Sequence, residues 1–417
     1  MESEEFPQTS DMSDTNSSSI LSLPPELLTE ILSYLSGGEI SVASAVCRRF
    51  YEGCNEDYVW KIRCRNEFSI SDISGWNCSY REIYTKVLYH YGWMVGLWQP
   101  DRGCYGGLIC VKINNAAGRL EAWSYYPSQP ANVKLALRSK LLFTVWICNG
   151  ETHAQCRTGI GGEVAKQHPI VLTKNANKDL CIKCQSPEKH QTSGDHDLRF
   201  WTWLSEEYGF EERNVGVFDQ HLYIRKYNTF TEFECEYSCK RILHPRSTPG
   251  VVVQPGFFKG DYSAHGVEII KLGYTDDLKQ LELLKITGDP NIPAGCITMK
   301  ADLLCPMVLT LTQQEELETL SEIDLPDPDP DMQLGQLPSQ PFRIPNGCSR
   351  EGSNLVPESC KWRFSSRGQV AYDNYTRPTF ISGHFVVFDE DTLGFLWIDL
   401  EAFCLLKRCT ETDLACL

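Results

Sequence analysis

Apolar residues recur at two different spacings along this chain, and the change between them divides it in two. Over residues 21–68 they recur every three or four positions, as Leu27, Ile31 and Leu35 do, which is the spacing of one helix face. From about Trp93 onward, short segments alternate apolar and polar residues and are separated by turn residues, as strands are. The pattern predicts an α+β protein, with a small helical module followed by a mainly antiparallel, barrel-like β domain.

The helical part is predicted to hold four helices. The first covers "LSLPPELLTEILSYL", where two prolines suit the helix entry and a following Gly-Gly pair ends the helix. A second is predicted over "ISVASAVCRRFYEGC" and a third over "EDYVWKIRCRNEF". The fourth lies in the linker 69–92, which carries Ile83 and Val87.

The β domain is predicted to cover residues 93–312 and 346–408. Its strands include "YGGLICVKI", "LLFTVWIC", "HLYIRKY", "VEIIKL" and a final hairpin, "FVVFDEDTLGFLWIDL", with its turn at 389–394. One helix, "DLRFWTWLSEEYG", interrupts them. Residues 1–20 and the acidic, Pro-rich residues 313–345 are predicted to be a disordered tail and a disordered insertion.

Composition and charge restrict the class of protein. The chain has 417 residues, and no apolar run approaches the roughly 18–20 residues that cross a bilayer. Its start lacks a basic n-region, so we expect a cytoplasmic and nuclear protein. A formal net charge of −16 argues against nucleic acids and anionic membranes as partners, because both require clustered Lys and Arg.

Nineteen cysteines without a secretion signal favour buried thiols and a metal site over disulfides. Thiolate and imidazole are the side chains that zinc prefers, usually four in a tetrahedron. The segment 148–196 has eight candidates, so spacing alone does not select four. They are Cys148, His153, Cys156, His168, Cys181, Cys184, His190 and His196.

Residues 21–65 resemble the F-box. The match comprises Leu-Pro at 23–24, the Leu27/Ile31/Leu35 stripe, "VCRRF" at 46–50 and Trp60. Four further blocks, "GLWQPDRGCYGGL", "GFFKGDYSAHGVEII", "KITGDPNIPAG" and "VFDEDTLGFLWIDL", are similar to the F-box only protein 31 family. The resemblance implies a non-catalytic substrate-recognition subunit of an SCF-type ubiquitin ligase, associated with the cell cycle and DNA damage. It implies an adaptor-facing set of Leu23, Pro24, Leu27, Ile31, Leu32 and Leu35, which bind the Skp adaptor and through it the cullin and RING subunits.

The resemblance also implies one structural zinc, held by Cys, His, Cys and His in that order, that staples the segment 148–196 to the sheet. The family's gaps of sixteen and six residues fit His168, Cys184 and His190. Cys156 would then be the first ligand. Four extra residues before His168 leave Cys181 and Cys148 as alternatives.

Relatives of this kind are associated with clients recognised at their C-terminal ends, including amidated ends. A carboxylate would accept hydrogen bonds from a terminal amide and repel a terminal carboxylate. The candidates are Asp302, Asp289 and Asn291, with Lys259 and His265 weaker. Asp289 and Asn291 have a second interpretation, since they lie in "GDPNIPAG" and would hold that loop.

Two other hypotheses stay open. The chain could be a zinc-stabilised interaction scaffold that recruits no ligase. It could also be an enzyme acting on peptide ends, although the sequence has no P-loop, GxSxG or HExxH motif.

Overall fold

A computed structural model describes residues 20–128, 132–158, 167–190, 196–208, 216–232, 235–262, 265–321, 323, 338–348 and 356–414. Residues 1–19 of the expected tail lie outside this range. The chain divides into two compact units. The first holds the described residues up to Trp93 with Asn115–Gly118 and Ile147–Thr152, and the second holds the rest. Among the described residues, no helix is both long and apolar enough to cross a membrane.

The first unit is helical. Its elements are α1 (Pro25–Ser33), α2 (Gly37–Ser44), α3 (Arg48–Asn55), α4 (Asp57–Phe68), α5 (Tyr80–Glu82), a π-helical turn (Ile83–Leu88) and α6 (Tyr89–Tyr91).

The predicted second helix is in fact two, α2 and α3. The chain breaks between them because Cys47 is extended, with φ −160° and ψ 165°. Helix α2 begins with a capping box, in which Ser36 and Glu39 each accept a hydrogen bond from the other's backbone N–H. Helix α1 crosses close to α3, where a Cβ on Gly53 would lie 2.9 Å from Leu32 Cδ1. A glycine at this position therefore lets α1 place its inner leucines on α3.

The second unit is built from strands. The first set is β1 (Gly96–Pro100), β2 (Leu108–Asn114), β3 (Arg119–Tyr126), β4 (Arg138–Cys148), β5 (Glu151–Cys156), β6 (His168–Lys174), β7 (Leu180–Cys184) and β8 (Glu236–Ile242). The second set is β9 (Gly256–Asp261), β10 (Val267–Tyr274), β11 (Gln280–Lys285), β12 (Ile297–Pro306), β15 (Trp362–Tyr372), β16 (Thr376–Val387), β17 (Thr392–Trp397) and β18 (Ala402–Arg408). A short ladder joins β13 (Gln340–Pro341) to β14 (Ser359–Cys360).

These strands form two closed antiparallel barrels rather than the single barrel expected. The first closes where β1 pairs with β8, and the second where β9 pairs with β18. Alternation along a strand shows which side chains face inward, but it does not show which strands pair. The final hairpin is confirmed as β16–β17, although its turn is shorter than predicted and ends before Thr392.

Two helices lie between β7 and β8, namely α7 (His196–Tyr208) and α8 (Val217–Glu232). The predicted strand "HLYIRKY" is wrong, because it lies inside α8. Its apolar residues Tyr223 and Tyr227 are four positions apart and pack against Phe200 and Trp203 of α7. A spacing of four places residues on one face of a strand and also on one face of a helix, so this short run fits both.

The acidic segment is anchored at both ends. Residues 324–337 lie outside the described residues, whereas the ends form α9 (Leu317–Ser321) and β13. Gln314 is fully buried and accepts a 2.9 Å hydrogen bond from the buried Arg363 of β15. Phe342 is 5% exposed. The expectation of disorder over 313–345 therefore does not hold at either end, because both ends pack on the second barrel.

The loop "KITGDPNIPAG" joins β11 to β12 of the second barrel and forms backbone hydrogen bonds with the first barrel. It pairs its backbone with the β1–β2 loop through a bridge between Gly106 and Thr287. The Gly288 N–H donates to the Tyr105 carbonyl at 3.1 Å. A Cβ on Gly288 would lie 2.2 Å from the backbone nitrogen of Ala294, so only glycine fits. The distinctive sequence of this loop thus has a structural cause.

Candidate functional site

Helix α1 of the first unit presents apolar side chains to solvent. Leu27 is 53% exposed, Ile31 42% and Tyr34 77%. Their spacing of four and three residues places them on one face of the helix, which we call the α1 stripe. Val42 and Val46 are also exposed, at 71% and 65%. A module this small leaves these groups uncovered by its own core.

The six residues predicted to face an adaptor differ in their solvent exposure. Leu27, Ile31 and Pro24 are exposed, and Leu23 and Leu35 are half-buried. Leu32 is the exception, because it is 2% exposed and packs inward with Leu28 one turn before it. The prediction that Leu32 faces an adaptor is therefore wrong.

The sequence interpretation missed other residues on this surface. Tyr34 follows Ile31 by three positions, so helical spacing alone could have identified it. Arg49 belongs to the "VCRRF" block. Its guanidinium donates to the Leu21 and Leu23 carbonyls, the first at 2.5 Å. Arg49 thereby fixes the start of the module against α3.

Four buried side chains of the first barrel converge at one point. Their donor atoms, one from each of Cys156, His168, Cys184 and His190, all lie within 4.8 Å of one another. Cys184 Sγ is 2.9 Å from His168 Nδ1, and Cys156 Sγ is 3.8 Å from His190 Nε2. The group could hold a metal ion. We call it the Cys/His cluster.

Strand pairing explains why these residues meet. Cys156 ends β5 and is directly opposite His168, which begins β6. Cys184 ends β7 at the same edge, and a 3₁₀ turn brings His190 back to it. Cys156 and His168 are brought together by this pairing, whatever the number of residues between them in sequence. The alternatives Cys181 and Cys148 are not part of the cluster.

Hydrogen bonds orient the cluster. His168 Nε2 is 3.1 Å from the Thr158 carbonyl, which leaves Nδ1 directed toward Cys184. The Ser186 N–H donates to Cys184 Sγ at 3.3 Å. Backbone contacts of this kind hold an imidazole or a thiolate in its ligating orientation.

Burial and neighbouring groups set the protonation of the cluster. Burial and the nearby His190 lower the pKa of His168 and favour the neutral ring. Burial opposes ionisation of Cys156, but hydrogen bonds from His190 and Thr158 outweigh it and lower the pKa of that thiol. Burial raises the pKa of Cys184. Metal ligation requires neutral imidazole and thiolate, so the pKa shifts of His168 and Cys156 favour it and the shift of Cys184 opposes it.

Two predicted client-binding residues are in buried ion pairs instead. Lys259 is 4% exposed, and its Nζ lies 2.8 Å from Asp413. Asp289 is 4% exposed, and its carboxylate lies 2.5 Å from Lys285 Nζ. Lys285 also pairs with the buried Glu268 at 2.7 Å.

The remaining candidates do not converge. Asn291 donates through its side-chain amide to the Ala371 carbonyl at 2.9 Å, which supports its role in holding the loop. Asp302 is half-buried and accepts a 3.0 Å bond from the Leu304 N–H. It pairs with Gln280 at the opposite end of the β11–β12 hairpin from Asp289. His265 is half-buried beside Asp289, and burial lowers its pKa.

Comparisons with known proteins match both parts of the chain. A family model described as F-box-like matches residues 20–66, and one described as Cyclin D1 binding domain matches residues 239–412. F-box only protein 31-A of Xenopus laevis is 31% identical, over 94% of this chain and 84% of that protein. F-box only protein 31 of Rattus norvegicus is 32% identical, with 94% and 85% covered. The Homo sapiens protein of that name is 30% identical, with 94% and 84% covered.

Proposed function

The chain belongs to the F-box only protein 31 family, and on that premise we propose that it is the substrate-recognition subunit of an SCF-type ubiquitin ligase. Its helical unit would bind the Skp adaptor and thereby the cullin and RING subunits. Its barrels would hold the client near the ubiquitin-charged enzyme. Such a subunit acts by proximity and supplies no reacting group of its own.

The α1 stripe is the observation that carries this proposal. Its exposed apolar side chains lie in the segment that the F-box-like model matches. Burying one such side chain against a partner contributes about 1.5–3 kcal/mol. Two or three of them therefore contribute several kcal/mol toward a helix-packing interface. Val42 and Val46 would extend it.

Replacing Leu27 and Ile31 together by aspartate tests adaptor recruitment. The doubly substituted chain should no longer co-purify with the Skp adaptor and cullin. Leu243→Asp is the matched control, because Leu243 is 72% exposed but lies outside the helical unit. If the stripe variant retains both partners, the chain is better described as an interaction scaffold that recruits no ligase.

We assign client binding to the second barrel, because residues 239–412 match a model described as Cyclin D1 binding domain. A D-type cyclin is thus one candidate client, in keeping with a role in the cell cycle and DNA damage. We further propose that clients are read at their C-terminal ends, some of them amidated. Asp302 is the best placed of the predicted residues, because it is accessible and its carboxylate can accept further bonds.

A peptide panel tests recognition of chain ends. Peptides that differ only in a terminal amide or free carboxylate should bind the chain differently, and Asp302→Asn should change that ratio. Asp277→Asn is a control, since Asp277 is an exposed carboxylate in the turn after β10. Mass measurement of the peptides after incubation with the chain alone tests the enzyme hypothesis, because deamidation would favour it.

We also propose that the Cys/His cluster binds one structural zinc. Two thiols and two imidazoles are a donor set that zinc prefers, and four protein ligands leave no open position for water. Zinc bonds of about 2.0–2.3 Å separate ligand atoms by about 3.3–3.8 Å, so the cluster needs only small adjustments. When bound, the metal would tie the ends of β5, β6 and β7 together.

We propose that the protein acts in the cytoplasm and nucleus.

A further inference from the structure

Strand β16 of the second barrel is longer than its neighbour β17. Strand β17 pairs with β16 only from Gly383 to Val387. Residues 376 and 379–382 pair with β15 on one side, with a register shift at 377–378, and on the other side no strand of the described chain covers them. The side chains of residues 376–380 are exposed. We call residues 376–382 the open edge.

The direction of the backbone groups along the open edge follows from one hydrogen bond. The Ile398 N–H donates to the Ser382 carbonyl at 3.3 Å, on the β17 side. Backbone groups of every second residue point to the same side of an antiparallel strand. The N–H and C=O of Phe380 therefore point outward. Pro378 lies at the register shift of this edge strand, where its missing N–H removes no ladder bond.

The turn that joins β15 to β16 is strained. Asn374, Tyr375 and Arg377 have φ values of 59°, 53° and 48°, in the left-handed region that residues other than glycine rarely adopt. Such conformations persist only where their surroundings fix them. A hairpin that projected freely into solvent would relax to an unstrained turn.

Contacts to other parts of the second unit fix this hairpin. Arg225 of α8 forms a 2.7 Å ion pair with Asp373. The Tyr375 N–H donates to the Pro290 carbonyl at 3.0 Å, and the Asn291 amide donates to the hairpin backbone at 2.9 Å. Residues 379–382 of the open edge are therefore held in an extended conformation before any partner arrives, which lowers the entropy lost on binding.

The open edge and the facing part of β15 carry two positive charges, whereas the acids Asp399 and Glu401 lie in the turn that follows Ile398. Arg367 is directly opposite Ser382, and Arg377 lies within the edge. Both are exposed, and neither makes an ion pair within the part of the chain that the structure describes. The acid of this hairpin, Asp373, is already paired with Arg225. An incoming strand with carboxylates would complement the two free guanidinium groups.

We propose that the open edge of β16 accepts an extended, acidic segment of a client chain as an added strand. The segment would continue the line of β17 and exchange hydrogen bonds with the N–H and C=O of Phe380. Strand addition takes affinity from the main chain and specificity from alternate side chains. That the partner is a client rests on the proposed function. The bound segment would lie within the client chain, so binding requires no chain end.

A backbone-cyclised β-hairpin peptide that alternates valine and aspartate on its outer strand is the probe, because it has no termini. Phe380→Pro removes the outward N–H without removing a bond of the native barrel, and should weaken binding about tenfold. Phe380→Ala keeps the N–H and should weaken binding much less. Hydrogen exchange of the amides in residues 376–382 should slow when the peptide binds the wild-type chain.

Charge supplies a second test that does not depend on proline being tolerated. Arg367→Glu with Arg377→Glu should reverse the preference, so that a hairpin with lysine in place of aspartate binds better. Equal binding to wild-type and Phe380→Pro chains would overturn the proposal, as would equal binding of acidic and basic hairpins. Protection of residues 376–382 that grows with protein concentration alone would also overturn it, because two copies would then be pairing.

These results are separable from the receptor role. Capture of the Skp adaptor depends on the α1 stripe and should be the same for both Phe380 variants. Unchanged hydrogen exchange in the strands of the second barrel outside the open edge shows that this barrel folds in both variants. If the wild-type chain does not capture the adaptor but binds the acidic hairpin, the strand site is supported and the ligase role is refuted. If capture succeeds and the hairpin does not bind, the strand site falls alone.

Discussion

Ile31 and Leu32 are neighbours in sequence, but their substitution by alanine should have different effects. Leu32→Ala should lower the stability of the helical unit, and Ile31→Ala should lower the affinity for the adaptor. Leu32 is 2% exposed and Ile31 is 42% exposed. Truncation of a buried leucine costs about 2–5 kcal/mol, whereas an exposed substitution changes stability by about 0.5 kcal/mol or less. We therefore expect Leu32→Ala to loosen the helical unit and Ile31→Ala to leave it intact.

Adaptor affinity should show the reverse order. Ile31→Ala removes three carbons from the α1 stripe, and each buried carbon contributes about 0.8 kcal/mol. Because only 42% of Ile31 is exposed in the free chain, the loss is about 1 kcal/mol, or roughly fivefold in Kd. Leu32→Ala should weaken binding only through the fraction of molecules in which the helical unit is open.

Hydrogen exchange of peptides from α1 to α4 measures the first effect in the full chain, and titration with the Skp adaptor measures the second. Exchange is preferable to a single melting temperature because the chain has more than one unit. The reasoning is refuted if Leu32→Ala leaves exchange unchanged while lowering affinity. That pattern would mean that Leu32 faces the partner after all.

Three further outcomes follow from buried groups. Cys184→Ser should lower the zinc content below one per chain by elemental analysis, whereas Cys181→Ser should not; equal zinc in both would remove Cys184 from the ligand set. Lys259→Ala leaves Asp413 buried without its ion-pair partner, so it should cost about 3–5 kcal/mol in urea unfolding, and a change below about 1 kcal/mol would contradict this. Burial, opposed by a neighbouring lysine, raises the pKa of Glu268 from 4.5 to about 8. Its contribution to stability is therefore full below pH 4.5 and is lost as pH rises to about 8, and Glu268→Gln should flatten that dependence in urea midpoints.

Helical spacing and strand alternation predicted the change from helices to strands near Trp93, because both depend on local side-chain direction. They did not reveal that the strands close two barrels, since pairing joins residues far apart in sequence. Leu97 and Ile242, for example, are paired across the closure of the first barrel. The helix around Tyr223 was mistaken for a strand because a short apolar run fits both periods.

The metal ligands and the client residues differed in how far sequence could predict them. Cys156 and His168 were selected by resemblance, and strand pairing brings them together whatever the number of residues between them in sequence. Asp289 was selected because a carboxylate in a loop suggested recognition. Lys285 is four residues away in sequence. The sequence does not show that Lys285 is buried in a barrel and forms an ion pair with that carboxylate.

The anchored ends of the acidic segment make it a suitable place for a genetically encoded reporter. Gln314 and Phe342 secure the two ends on the second barrel, so whatever joins them begins and ends at fixed points. The entropy of closing such a connection rises only logarithmically, by about 0.6 kcal/mol for each doubling of its length. A fluorescent protein inserted between residues 323 and 338 should therefore leave the barrel folded, and would allow the receptor to be followed in living cells without modifying either terminus.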